Sequence, residues 1–100
     1  MPASAPPSGP IARRCLVSGR VQGVFYRGTA QQRARAAGVA GHARNLADGR
    51  VEVVVCGEER AVLEFIEWLW IGPAAAKVAQ VSVEVIELPS EQLPREFRTA

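Results

Sequence analysis

Long apolar runs are missing from this chain of 100 residues. Nothing in it approaches the roughly 20 consecutive apolar residues that a membrane-crossing helix needs. An excess of one charge is missing too: twelve Lys and Arg against ten Asp and Glu leave a formal net charge of +2. That balance is too mild to announce a nucleic-acid binder. Cysteine is scarce, with two residues, and neither belongs to a metal or redox spacing motif. The opening "MPASAPPSGP" holds four of the seven prolines and no large aliphatic residue. A secretory leader needs an apolar middle section, which this stretch lacks, so residues 1–11 read as a disordered tail and the cytoplasm as the expected location.

What remains, residues 12–100, is enough for one small domain and one core. The chain is 48% hydrophobic and 22% charged, as an ordinary globular protein is. Residues 12–19 read as a strand and "RGTAQQRARAA", residues 27–37, as a helix. Ala30, Ala34 and Ala37 recur at helical spacing there, and Gly38 follows as a stop. "VAGHARNL" is a second strand with Val39, Gly41 and Ala43 on one face. "ADG" supplies turn chemistry, and "RVEVVVCG" is a third strand. "EERAVLEFIEWLWIG" is a second helix whose core stripe is Val62, Phe65, Ile66 and Leu69. "VSVEVIEL" is a fourth strand with Val81, Val83 and Val85 inward, and "EFRTA" a short last one. Trp70 and Ile71 either close over the core edge or form a contact patch.

Alternation with period two puts Cys15 on a core face with Val17, and Cys56 on an outer face with Glu52 and Val54. No disulfide between the two cysteines is expected.

The order β-α-β-β-α-β predicts a ferredoxin-like α+β sandwich, two helices on one face of a mainly antiparallel sheet of four to five strands. A right-handed crossover makes the first two strands parallel, with the third between them and antiparallel to both. The loop "GRVQGVFYR" and the turn "RNLADG" therefore converge at one end of the sheet. Gly19 and Gly23 let the loop bend. Its inward-pointing amides, with a helix N-terminus behind them, make an anion cradle. Arg27 at that terminus is electrostatically misplaced unless an anion sits in front of it, and a phosphate suits a planar guanidinium.

Val21-Gln22-Gly23-Val24-Phe25-Tyr26-Arg27 resembles the run Val-Gln-Gly-Val-x-Phe-Arg of the acylphosphatase family. Gly41 to Asn45, followed by Asp48-Gly49-Arg50-Val51, resembles its second run, Gly-aromatic-x-x-Asn and then Asp-Gly-x-Val. "GPAAAKV" is similar to a third family segment, and the likeness extends over residues 12–99. The resemblance implies metal-independent hydrolysis of the carboxyl–phosphate bond of small acyl phosphates, giving a carboxylate and inorganic phosphate with no cofactor. It implies that Arg27 binds the phosphoryl group and Asn45 positions the attacking water. The backbone of Arg20, Val21, Gln22, Gly23, Val24, Phe25, Tyr26 and Arg27 is expected to wrap the phosphate oxygens. The expected partners are the acyl phosphate and inorganic phosphate, with no nucleic acid and no membrane, and the expected state is a monomer.

Two residues depart from the family pattern. Tyr26 adds a hydroxyl to the usual phenylalanine, and His42 stands where an aromatic is usual, on the strand face opposite Asn45. Gln22 reads as a loop-fixing side chain, Asp48 as turn chemistry, and Arg20 and Arg44 as solvated charges or as a source of local positive potential. An RNA-binding module of the same sheet order needs outward aromatics on its first and third strands. Here those positions carry Arg14, Leu16, Ser18, Glu52, Val54 and Cys56.

Overall fold

Alternating apolar residues do build strands where the sequence places them, and the computed structural model, which describes residues 9–100, joins five of them in one sheet. The elements are β1 (Ile11–Arg20), α1 (Tyr26–Ala37), β2 (Ala40–Asn45), β3 (Val51–Gly57), α2 (Glu59–Leu69), β4 (Lys77–Ile86), a 3-10 turn (Ser90–Gln92) and β5 (Phe97–Thr99). Strand order is β4-β1-β3-β2-β5. β3 runs antiparallel to both β1 and β2, and β4 antiparallel to β1; only β5 lies parallel to its neighbour, β2. The tail expected over residues 1–11 lies outside the described residues for 1–8. Its last residue belongs to the fold, since Ile11 pairs with Gly57 in the first rung of β1.

Both helices cover the same sheet face. α1 lies against β2 and β5, while α2 lies against β1 and β3. Small residues let α1 approach closely: Ala30 and Ala34 are fully buried. Ala37, expected on the same face, is exposed, because the chain is already turning away at the left-handed Gly38 cap. The α2 stripe of Val62, Phe65, Ile66 and Leu69 is buried as the spacing predicts, joined by Trp68. Trp68 packs beside Tyr26 and Phe65.

One expectation fails at the β4 edge. Val81 is buried, but Val83 and Val85 are 47% and 69% exposed. They do point to the helix side, in register with Cys15 and Arg13. No helix reaches them, because α2 sits one strand further in, over β1 and β3. Of the two readings of Trp70 and Ile71, closure over the core edge does not hold: they stay 50% and 69% exposed beyond Leu69, the last buried residue of α2.

Cys15 lies in the core, where burial pushes its thiol up to about 11. Cys56 is on the outer face between Ala12 and Ala40, yet is buried as well. Both thiols are free.

The outer sheet face is organised by a carboxylate. Glu52 on β3 is only 5% exposed. Its oxygens receive Arg14 Nε of β1 at 2.7 Å, Arg44 Nε of β2 at 2.9 Å and His42 Nε2 of β2 at 3.3 Å. Arg14 also reaches Glu84 of β4 at 3.3 Å, so one chain of charges crosses four strands. Burial works to raise the Glu52 pKa, but hydrogen bonds from Arg14 and His42 and the charge of Arg44 outweigh it and hold the carboxyl below its usual range. The carboxylate partner of His42 thus comes from the neighbouring strand, where its own motif shows none.

A depressed folded-state pKa stabilises the protein above the unfolded value and loses that contribution as pH falls through the folded one. Glu52→Gln is expected to lower unfolding free energy by about 1–3 kcal/mol at pH 7, measured by urea denaturation. The gap from wild type should close below about pH 4; a gap that stays constant into acid would show that the charge is not the stabilising element.

Candidate functional site

The loop between β1 and α1 is built to leave donors unused. Gly19 and Gly23 both take left-handed conformations, with φ of 119° and 76°, and between them the chain turns off the sheet end. α1 then starts without the usual help. Its N-cap is Phe25, which offers no side-chain acceptor, and its first turn contains no acidic residue. Helices leave their first N–H groups without intrahelical partners. Among the described residues, none of the amides from Gly23 through Gly28 finds a backbone acceptor.

Phe25 itself is strained, the one non-glycine residue with positive φ (62°) among those described. An aromatic residue there costs about 1–2 kcal/mol. Two contacts hold it. Its carbonyl accepts hydrogen bonds from the Thr29 amide at 3.1 Å and from Thr29 Oγ1 at 2.8 Å. Its ring lies on Gly28, where a Cβ would come within 2.5–2.9 Å of three ring atoms. Next to this strain is an anchor: Tyr26 is fully buried and its hydroxyl donates to the Leu69 carbonyl of α2 at 2.6 Å. Burial pushes the phenol far above its ordinary pKa. The hydroxyl that departs from the family pattern therefore ties the start of α1 to the end of α2.

The predicted convergence of loop and hairpin is present. Val21, Gly23, Phe25, Tyr26, Arg27 and Gly28 line one cleft of about 280 Å³ together with Asn45 and Thr99. Asn45 ends β2, paired with Val51 across the hairpin, and its side chain is exposed. Arg27 donates from Nη1 to the Ala100 carbonyl at 2.8 Å. Ala100 is in turn held by its amide to the Ala43 carbonyl at 2.9 Å. Three residues of the expected loop set are not in the cleft wall. Arg20 is exposed at the end of β1, and Val24 packs against the core. Gln22 turns to the hairpin instead: its Nε2 donates to the Leu46 and Arg50 carbonyls, both at 2.9 Å. It joins the two converging segments by hydrogen bonds.

The hairpin is closed locally by Asp48, whose carboxylate accepts the Arg50 amide at 3.1 Å and Arg50 Nε at 2.8 Å. The amide bond chiefly lowers its pKa. Arg44 and His42 are committed to Glu52 on the outer face and do not face the cleft. Thr99 and Ala100 are the site neighbours that sequence reasoning missed. Three residues of β5 carry no readable periodicity, and the place of β5 beside β2 is a long-range pairing.

Arg27, loop residues whose amides lack a backbone acceptor and the first turn of α1 all contribute to the wall of one small cleft, a composition that suits an oxyanion of high charge such as a phosphoryl group. The side-chain amide of Asn45, in the same cleft wall, can both donate and accept. Among the described residues, no group of three or more His, Cys, Asp or Glu could hold a metal ion.

The comparisons with known proteins agree with this geometry. The acylphosphatase family model matches residues 13–99. The chain is 53% identical over 79 residues to an acylphosphatase of Chromohalobacter salexigens, covering 76% of this chain and 88% of that protein. Among solved structures, it is similar to an acylphosphatase from Coxiella burnetii, with a TM-score of 0.83 and 36% identity over 92% of this chain and 94% of the other. The acylphosphatase from Bacillus subtilis superposes with a TM-score of 0.84 at 33% identity, covering 90% of this chain and 98% of its own. With both motifs meeting in one cleft and a match over nearly its full length, the chain belongs to the acylphosphatase family.

Proposed function

We propose that Arg27 grips the phosphoryl group and Asn45 orients the attacking water while this protein hydrolyses the carboxyl–phosphate bond of small acyl phosphates. The observation that carries the assignment is the meeting of Arg27 and Asn45, 18 residues apart in sequence, in one cleft beneath the unpaired amides of the loop. The cleft-lining part of the loop, Gly23 and Phe25 to Arg27, wraps the phosphate oxygens, with Gln22 holding that loop to the hairpin through its side chain.

A mixed anhydride already carries a good leaving group, because a carboxylate departs without needing a proton. The enzyme is left with two tasks: aligning water with the scissile P–O bond and neutralising the phosphoryl oxygens. The guanidinium and the amides supply the second. Asn45 supplies the first by accepting a hydrogen bond from the water through its side-chain oxygen. The water oxygen forms a bond to phosphorus, the bond to the acyl oxygen breaks, and the acyl group leaves as carboxylate. The water proton passes to a phosphoryl oxygen, giving inorganic phosphate. No metal enters these steps. The domain that begins with Ile11 is the working unit, and it acts as a monomer on diffusible substrates in the cytoplasm.

Steady-state hydrolysis of acetyl phosphate in the presence of chelator tests the roles. Arg27→Ala should lose about 10³-fold or more in kcat/KM and lose inhibition by inorganic phosphate. Asn45→Ala should lose about 10²–10³-fold, chiefly in kcat, while phosphate still inhibits. A folded wild type that binds phosphate and turns nothing over would make the cleft a regulatory anion site.

The cleft wall contains no His, Cys, Asp or Glu, and Tyr26 titrates far above neutrality. The kcat profile of wild type is therefore expected to be flat between about pH 6.5 and 9. An inflection there that vanishes in a single side-chain variant would expose a general base the mechanism omits. Gln22→Ala cuts the tie between loop and hairpin and should raise KM more than it lowers kcat, by about 10-fold, the worth of one to two buried hydrogen bonds. A KM unchanged in that variant would mean the loop holds its shape alone.

A further inference from the structure

With the phosphoryl group seated on the loop amides and Arg27, the acyl group must lie along the rest of the cleft wall. Val21 and Tyr26 are buried to 1% exposure and Gly23 and Gly28 have no side chain. The side chains left for the acyl group to meet are those of Phe25, Asn45 and Thr99, and among them only Phe25 presents a large apolar surface, 68% exposed. No core requires that ring, since Phe25 is absent from the buried cluster. It is nevertheless kept in a backbone conformation that aromatic residues avoid. Two devices fix its direction: Thr29 on its carbonyl and the bare Cα of Gly28 beneath its ring. A strained residue that persists because its surroundings over-determine it is a sign of function.

We infer that the Phe25 ring is the platform for the acyl end of the substrate, so that this protein selects acyl phosphates whose acyl group is flat and apolar, above all aromatic. The inference rests on the reading of the cleft as the hydrolytic site. An aromatic acyl group stacks on the ring face and removes both from water, whereas an acetyl group is too small to cover it. The loop amides hold the phosphate; the side chain of the same loop measures what is attached to it.

The test is the ratio of kcat/KM for benzoyl phosphate to that for acetyl phosphate in wild type, Phe25→Asn and Phe25→Tyr. Asparagine tolerates the left-handed conformation, so it removes the ring without forcing a new backbone, and thermal unfolding of each variant checks the fold. Differences in leaving-group reactivity, and any shift of the cradle, act on both substrates and cancel when ratios are compared. The ratio should fall about 5- to 10-fold in Phe25→Asn, in line with the worth of an aromatic pair, and stay within about twofold of wild type in Phe25→Tyr, which retains the ring. An active wild type whose ratio does not move in Phe25→Asn overturns the platform and leaves the hydrolytic reading standing. A wild type that hydrolyses neither substrate overturns both.

Discussion

The antiparallel ladder of β3 against both β1 and β2 is the constraint from which the site follows. Because β3 runs down between two strands that run up, the end of β1 and the end of β2 must emerge on the same edge. That edge receives the loop with its amides and the hairpin with Asn45. Gln22 then converts neighbourhood into registration. One side-chain amide satisfies two hairpin carbonyls, so loop and hairpin can shift only by breaking hydrogen bonds. The proposed mechanism asks for no more machinery than this, since the leaving group is ready and only alignment and charge are left to supply.

Most of the fold could be read in the sequence because strands and helices bury one face each, and that face repeats with the period of the element. Val51, Val53 and Val55, the alanines of α1 and the stripe of α2 are cases of this. The reading failed where burial depends on a neighbour from elsewhere in the chain. Val83 and Val85 alternate as a core face should, but they belong to an edge strand that α2 does not cover. Only the register of three strands brings Arg14, His42 and Arg44 onto Glu52, and periodicity carries no information about register.

The site divides in the same way. Arg27, Asn45 and the glycine-punctuated loop were legible because each stands in a local run whose chemistry makes sense alone. Thr99 and the Ala100 carbonyl were not, since a three-residue strand joins β2 only through tertiary pairing. The conformation of Phe25 was not legible either. Nothing in a string of letters shows that a phenylalanine sits left-handed, and the reason lies in Gly28 and Thr29 after it.

Tyr26 stands between the strained Phe25 and Arg27 of the candidate site, and its hydroxyl is pinned to the last turn of α2. Of three consecutive residues, then, the outer two work at the surface and the middle one is bolted into the interior. Through that bond and the ring contact with Trp68, the packing of Trp68 and Leu69 helps to position a cleft whose wall neither residue joins. Loosening that packing therefore disturbs the backbone between Phe25 and Arg27 as well as the interior.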